Sequence, residues 1–254
     1  METERRGEVA WIRLARPERY NAYDAEMAAE ITEAVHDAGD AGVIVITGTG
    51  KGFCAGGMLS PDAGLDEALM RRLYRSSIEL FDAIRMSPRP VIAAVNGAAA
   101  GGGNELVVAC DLAVAAESAT FGQTGPRVGS APVTGGTNLL AVQVGEKRAK
   151  EISFLCRRYT AAEALEIGLV NAVVPDGDLE AETTRWADEL LQMSPRYLEI
   201  AKISSNVWWN ATRDSFLTGV GMLAQAIGSD DMLEGMRAFS EKRPPRFRDL
   251  RTDD

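Results

Sequence analysis

The sequence predicts an α/β fold in which parallel strands and helices alternate, followed by a helix-rich C-terminal region. Over roughly the first 150 residues, short apolar runs typical of buried strands alternate with segments of helical periodicity. From Glu146 onward the periodicity is mostly helical, apart from the strand-like residues 169–174. Pro175-Asp176-Gly177 is the best candidate boundary, which divides the chain into a core at residues 1–175 and a helical region at residues 176–254.

Each element of the first half follows from a local pattern. Apolar runs of strand length predict strands at residues 9–14, 42–47, 91–95 and 111–115. Helical periodicity predicts helices at residues 24–38, 65–86 and 104–109. Asp24 belongs to a residue type that caps helix N-termini, and Pro88 ends the second helix because proline cannot continue one. The polar residues 58–64 are predicted to be irregular.

The composition argues against several classes of protein. The net charge of −10, from 27 basic and 37 acidic residues, argues against a nucleic-acid partner. We expect neither a membrane span nor a secretory signal, because no apolar run reaches about 18 residues and the charged N-terminus precedes no apolar segment. The three cysteines, Cys54, Cys110 and Cys156, fit neither a disulfide framework nor a metal-ligand spacing, which favours a cytoplasmic protein without a metal.

The single histidine, His36, limits the catalytic chemistry that the chain can use. It lies in the predicted helix at residues 24–38, before either glycine-rich turn, where a structural or surface role is expected. A Ser-His-Asp triad and a histidine-based zinc site are therefore not expected. A general acid or base must then be a carboxylate, a tyrosine or a water molecule.

Two glycine-rich turns, Phe53–Gly57 and Ala99–Gly103, each follow an apolar strand-like run. Glycine lets bare backbone N–H groups approach a ligand closely. Two such N–H groups aimed at one point can hold a developing oxyanion, and a helix that starts after the second turn would add its positive dipole end. The turns therefore predict carbonyl or thioester chemistry, and tight turns with close helix–strand packing are the alternative.

Glu105 is the candidate general acid or base. It follows Gly102 by three residues, at the start of the apolar stretch Leu106 to Ala109. A carboxylate that faces a core without a partner is costly to ionise, which raises its pKa into a range that suits proton transfer. A solvent-facing residue or a buried salt bridge is the alternative.

Two further segments are candidates for ligand contacts. Ser130 ends a loop at residues 122–130, where it can hydrogen-bond a substrate or form a local turn. Lys242 and Arg243 belong to a basic cluster at residues 241–248 of an otherwise acidic protein. This cluster is suited to phosphates, and a solvated tail is the alternative.

A set of motifs runs in one order from near residue 15 to near residue 248. It includes Asn21-Ala22, Phe53-Cys54-Ala55-Gly56-Gly57, Pro90 to Gly97, Gly101-Gly102-Gly103-Asn104-Glu105-Leu106, Cys110-Asp111, Gly135-Gly136-Thr137, Ala161 to Val174 and Glu234-Gly235. Together these motifs resemble those of the crotonase (enoyl-CoA hydratase/isomerase) superfamily. The resemblance implies a spiral of ββα units and a C-terminal helical trimerisation region, so that a homotrimer or a hexamer is expected.

The resemblance also implies a substrate and a set of site residues. Crotonases bind acyl-CoA thioesters, so coenzyme A is expected as part of the substrate and no separate cofactor is expected. The oxyanion hole maps to the backbone N–H groups of Gly57 and Gly102, and Glu105 matches one of the two glutamates of the hydratases. Lys242 and Arg243 match residues that reach the CoA phosphates. The other expected substrate contacts are Ala55, Met58 and Gly125.

The chain departs from the family pattern at the second carboxylate. Gly125 stands where hydratases have their other glutamate, and one carboxylate alone more naturally moves a proton between neighbouring carbons. Residues 121–130 and 151–159 resemble the dihydroxynaphthoyl-CoA synthase and 2-ketocyclohexanecarboxyl-CoA hydrolase subgroup, in which Ser130 matches an active-site serine. However, Pro132 replaces the aspartate of that subgroup, Ala226-Ile227 replaces its C-terminal tyrosine, and the subgroup lacks a counterpart of Glu105.

Three functions remain open from the sequence. The first is an acyl-CoA enzyme of hydratase or isomerase type that uses Glu105 and the two glycine N–H groups. The second is an enzyme that forms or cleaves ring C–C bonds on a β-ketoacyl-CoA, with Ser130 in its site. The third is a CoA-binding relative without catalytic activity, which the missing carboxylate would explain.

Overall fold

The computed structural model describes residues 1–58 and 66–251. Its strands are β1 (Glu2–Arg6), β2 (Val9–Leu14), β3 (Val43–Gly48), β4 (Gly52–Cys54), β5 (Val91–Val95), β6 (Ala98–Ala100), β7 (Leu112–Ala116), β8 (Thr120–Gly122), β9 (Tyr159–Thr160) and β10 (Ala172–Val174). Its α-helices are α1 (Ala25–His36), α2 (Glu67–Met86), α3 (Gly102–Ala109), α4 (Leu139–Val144), α5 (Glu146–Leu155), α6 (Ala161–Glu166), α7 (Leu179–Leu191), α8 (Pro195–Ser205), α9 (Val207–Gln225) and α10 (Asp230–Ser240).

From β3 to β8, consecutive strands alternate between two sheets. The larger sheet has the order β1-β2-β3-β5-β7-β10, and the smaller has the order β4-β6-β8-β9. Neighbouring strands from β2 to β10 of the larger sheet are parallel, as are β4, β6 and β8 of the smaller one. Helix α2 follows the pair β3/β4, and α3 follows β5/β6. The mixed α/β architecture and the repeated ββα turns that the resemblance implied are confirmed.

The two faces of the larger sheet belong to two apolar cores. Along β3, Ile44 and Ile46 enter the main core with helices α1, α2 and α3, whereas Val43 and Val45 face the other way. The second core is covered by Leu179 and other residues of α7. This alternation is the period of two that places successive strand residues on opposite faces. The division of the chain at residue 175 stays a prediction, and α7 beyond it packs onto the sheet of the first part.

The predicted strands and helices of the first half agree with the structure to within two residues at each end, apart from the predicted helix start at Leu65, which lies outside the described residues. Asp24 caps α1 by accepting a hydrogen bond from the N–H of Met27 at 2.9 Å. Helix α3 begins at Gly102 rather than at Asn104, because Gly101 with φ of 55° turns the chain directly into the helix. Of the predicted irregular stretch 58–64, only Met58 lies inside the described residues.

The C-terminal region is helical, as predicted, through α7, α8, α9 and α10. These helices expose large apolar side chains, among them Tyr197, Trp208 and Met222. The trimer or hexamer that the resemblance implied stays a prediction. Among residues 1–58 and 66–251, no helix combines the length and apolar character needed to cross a membrane.

Candidate active site

The two glycine-rich turns lie at one edge of the smaller sheet. Strands β4 and β6 are parallel neighbours, so their carboxyl ends meet, and the turns follow there. The backbone of Tyr23, in the segment before α1, pairs with the first turn. Its N–H donates to the carbonyl of Gly56 at 2.9 Å, and its carbonyl accepts from the N–H of Met58 at 2.7 Å. This pairing engages the residues on either side of Gly57, and within residues 1–58 and 66–251 it leaves the N–H of Gly57 without an acceptor.

The N–H groups of Gly57 and Gly102 have no acceptor among the described residues. Gly102 is the first residue of α3, where an N–H has no partner within the helix. A Cβ built on Gly102 would lie 3.2 Å from the nitrogen of Gly57, so the two residues are direct neighbours. Both line one cavity that is partly open to solvent. Two unused backbone donors therefore border one cavity.

Gly103 fixes how closely the second turn approaches the first. A Cβ at Gly103 would lie 1.8 Å from the carbonyl oxygen of Cys54, at the end of β4. Only a residue without a side chain fits between the start of α3 and β4 at this point. The glycine run thus serves close helix–strand packing at Gly103, which was the alternative expectation, and at Gly102 it keeps a side chain out of the space beside the Tyr23 hydroxyl and the nitrogen of Gly57.

Glu105 projects from the first turn of α3 into the same cavity. Its side chain is 4% exposed, so the solvent-facing alternative is wrong. The hydroxyl of Thr134 donates to Oε2 at 2.5 Å, and the N–H of Gly136 donates to Oε1 at 2.9 Å. No cation pairs with it in the part of the chain that the structure describes, so it is not a buried salt bridge.

Burial raises the pKa of Glu105 to about 7, and the hydrogen bonds from Thr134 and Gly136 oppose that rise. Desolvation disfavours the charged carboxylate, whereas donors to its oxygens favour it. The carboxyl group consequently changes protonation state near neutral pH. Such a group can both accept and return a proton under ordinary conditions.

The space at Gly125 is closed by the neighbouring loop. A Cβ on Gly125 would lie 2.9 Å from the Cα of Ala131 and 3.0 Å from the carbonyl oxygen of Ser130. A second carboxylate at this position would therefore require the loop backbone to move. Ser130 itself lines the cavity, and its N–H donates to the carbonyl of Gly125 at 2.9 Å.

The structure brings most of the predicted site residues to this cavity. Its lining includes Ala55, Gly57, Gly102, Glu105, Gly125 and Ser130. Met58 is not part of the lining, and its sulfur accepts a hydrogen bond from Arg19. The expected roles of these residues in binding and catalysis stay predictions.

The C-terminal basic residues do not line the cavity in a single protomer. Arg243 donates two hydrogen bonds to the carboxylate of Glu234, at 2.6 and 2.9 Å, and this ion pair lowers the pKa of Glu234 to about 2. The guanidinium is therefore already engaged within its own chain. The expected contact of Lys242 and Arg243 with CoA phosphates stays a prediction.

Sequence reasoning missed several polar residues of the cavity. Thr134 and Gly136 hold the carboxylate of Glu105 from a loop about 30 positions away in the sequence, as the separations of 29 and 31 residues show. Gln123 is 1% exposed, lines the cavity, and has no hydrogen-bond partner for either amide atom among the described residues. Tyr23 also lines it. Its neighbours in the sequence, Ala22 and Asp24, gave no signal of a ligand contact.

Across residues 1–58 and 66–251, no group of three or more His, Cys, Asp or Glu side chains could hold a metal ion. The site that the structure does present combines two backbone donors and one buried carboxylate with the polar side chains around them.

Comparisons with known protein families and solved structures place the chain in one family. The family model described as enoyl-CoA hydratase/isomerase matches residues 4–250. An enoyl-CoA hydratase from Mycobacterium avium subsp. paratuberculosis K-10 is 31% identical over 97% of each chain, with a TM-score of 0.86. A carnitinyl-CoA hydratase from Mycobacterium avium is 32% identical over 96% of this chain and 97% of that one, with a TM-score of 0.82. A monofunctional enoyl CoA isomerase from M. smegmatis is 34% identical over 82% of this chain and 92% of that one, with a TM-score of 0.70.

Proposed function

The chain belongs to the enoyl-CoA hydratase/isomerase family of the crotonase superfamily, and from this premise we propose that it isomerises the double bond of an enoyl-CoA through an enolate. Membership makes it an enzyme of the lyase or isomerase class that acts on acyl-CoA thioesters. The observation that carries the proposal is the juxtaposition of two unused backbone N–H groups and one buried carboxylate in a single cavity.

In the proposed mechanism the thioester oxygen lies between the N–H groups of Gly57 and Gly102. Negative charge develops on this oxygen as a proton leaves the substrate, and the two donors stabilise it. Removing one such donor from an enzyme typically costs about 2.7–4 kcal/mol of transition-state stabilisation. The positive end of the α3 dipole points at the same place and adds to the effect.

Glu105 is the proposed base. Its carboxylate accepts the proton from the α-carbon, the electron pair moves onto the thioester oxygen, and the protonated carboxyl returns the proton to the γ-carbon. No net proton is gained or lost in this cycle. At Gly125 the neighbouring loop leaves no room for a second carboxylate. Proton transfer by Glu105 alone is therefore favoured over hydration, which in the hydratases uses two carboxylates.

The proposal is tested by turnover of a 3-enoyl-CoA and a 2-enoyl-CoA by the purified protein. We expect the 3-enoyl-CoA to be converted to the conjugated isomer, which absorbs more strongly in the ultraviolet, and hydration of the 2-enoyl-CoA to be slower. Binding of both thioesters without turnover would instead support the non-catalytic alternative. Product analysis with a cyclic β-ketoacyl-CoA tests the ring-directed alternative, for which Ser130 in the cavity is the supporting observation.

The pH dependence of this activity gives a second test. If ionised Glu105 is the base, kcat/KM rises with pH through an apparent pKa of about 7. Thr134→Val removes a hydrogen bond that stabilises the carboxylate, so the rising limb should move to higher pH. The control is Thr184→Val on α7, which does not line the cavity and should leave the limb in place. An unchanged pH profile in Thr134→Val would argue against Glu105 as the titrating group.

Several properties of the assembly and its surroundings remain predictions. We expect the substrate to bring its own CoA group and the enzyme to need no further cofactor. A homotrimer or hexamer, in which Lys242 and Arg243 reach the CoA of a neighbouring subunit, follows from the family resemblance. A cytoplasmic location follows from the cysteine usage alone.

A further inference from the structure

Tyr23 places a hydroxyl group beside the two glycine N–H groups. The residue immediately precedes the α1 N-cap, and its side chain is 2% exposed. Its hydroxyl oxygen lies 2.5 Å from the point that a Cβ on Gly102 would occupy, and the nitrogen of Gly57 lies 3.2 Å from that same point. The hydroxyl and the two backbone donors therefore border one small region of the cavity.

The hydrogen of this hydroxyl is not used by a strong hydrogen bond among the described residues. Its one hydrogen-bond contact among the described residues is with the Ser77 hydroxyl at 3.4 Å, well beyond the 2.7–2.8 Å of a typical O–H···O bond. Ser77 already donates to the carbonyl of Leu73 at 2.9 Å. The hydroxyl of Tyr23 is thus positioned as a donor without a good acceptor in the part of the chain that the structure describes.

Tyr23 also remains protonated over the working range of the enzyme. Burial raises the pKa of its phenol far above the usual value, and the nearby thiol of Cys54 and carboxyl of Glu105 raise it further. A protonated phenol donates a hydrogen bond and does not compete with Glu105 for the substrate proton. The two groups are consequently suited to different roles at one substrate.

We propose that the Tyr23 hydroxyl is a third hydrogen-bond donor to the thioester oxygen, which makes Tyr23 a further catalytic residue of the proposed reaction. The inference rests on the proposed function, because it needs a thioester oxygen at the two glycine N–H groups. No proton leaves Tyr23: its hydrogen bond strengthens as the oxygen becomes negative and relaxes when the carbonyl re-forms. A phenylalanine would fill the same apolar space without this donor. The hydroxyl is therefore the part of the side chain that needs a hydrogen-bond acceptor, which a bound ligand can supply.

Tyr23→Phe is the test, made on the full chain with the 3-enoyl-CoA as substrate. Removal of one oxyanion donor lowers kcat by about 10²-fold, and we expect that loss here with little change in KM. The matched control is Tyr159→Phe. Tyr159 is also buried, at 7% exposed, but its hydroxyl contacts Arg148 outside the cavity. This control should keep the wild-type kcat, whereas a wild-type kcat in Tyr23→Phe would overturn the inference.

A spectroscopic readout separates catalysis from packing. The carbonyl stretch of a saturated acyl-CoA labelled with ¹³C at the thioester carbon shifts to lower frequency when donors polarise the bond. We expect that shift to be smaller in Tyr23→Phe than in the wild type. A variant with reduced kcat and an unchanged carbonyl shift would assign Tyr23 a packing role only. If the wild-type protein turns over no enoyl-CoA, the proposed function fails first, and the carbonyl shift still reports whether Tyr23 contacts a bound thioester.

Discussion

Glu105→Gln lowers kcat for the 3-enoyl-CoA by about 10³-fold, within the range expected for loss of a general acid–base group. Glutamine has nearly the same shape: its oxygen can accept from the N–H of Gly136 and its NH2 group can donate to the Thr134 hydroxyl, but it cannot take the substrate proton. Steady-state kinetics checks the loss, with Glu166→Gln on the exposed face of α6 as the control. Turnover at the wild-type rate in Glu105→Gln would remove Glu105 from the mechanism.

The stability of the same variant shows whether Glu105 titrates as its surroundings imply. The folded state raises the pKa of Glu105 from 4.5 to about 7, so it binds the proton more tightly than the unfolded chain does. The stability that this proton contributes is complete below pH 4.5 and is lost as the pH rises to about 7. Glutamine does not titrate, so Glu105→Gln should gain up to roughly 3 kcal/mol of unfolding free energy relative to the wild type across this window.

Urea unfolding of both proteins at pH 4.5 and at about pH 7 measures this gain in unfolding free energy and also verifies that the variant is folded. A difference in unfolding free energy that stays constant with pH would mean that Glu105 has an ordinary pKa in the folded protein. The activity loss and the relative stability gain have one physical origin, because the desolvation that makes the carboxylate reactive also makes it costly to bury.

The sequence could predict those elements of the fold that depend on residues close together in the chain, but not those that depend on pairing between distant segments. Strands β3 and β5 were readable because apolar runs of strand length indicate burial by themselves. Strands β4, β6 and β8 have three residues each, and their pairing with one another, rather than their composition, makes them strands. A second sheet of this kind could be inferred only from the family resemblance.

The residues of the candidate site also fall into a group that the sequence predicted and a group that it could not predict. The glycine turns and Glu105 were predicted because each stands out against its own neighbours in the chain. Thr134 could not be predicted, because its contact with Glu105 depends on a loop that folds back over α3. Gln123 could not be predicted either, since a polar residue in a loop is ordinarily exposed, and only the fold shows that it is buried.

Gly102→Ala should abolish most of the activity while leaving the protein folded. The added methyl group would lie 2.5 Å from the hydroxyl oxygen of Tyr23 and 3.2 Å from the nitrogen of Gly57. The side chain of Tyr23 can shift to relieve the contact, but the methyl group then occupies the approach to the backbone donors. Loss of access to the donors predicts a fall in kcat of at least about 10²-fold.

Two other glycines make this prediction specific. Gly177→Ala adds a methyl group with nothing within 4 Å, so neither activity nor stability should change. Gly103→Ala places its methyl group 1.8 Å from the carbonyl oxygen of Cys54, a backbone atom that can move only with β4, so we expect this variant to lose stability first. Kinetics and thermal unfolding of the three variants separate an obstructed site from a damaged fold. If Gly102→Ala kept the wild-type kcat, the thioester oxygen could not bind between Gly57 and Gly102, and the enolate mechanism proposed for these residues would be wrong.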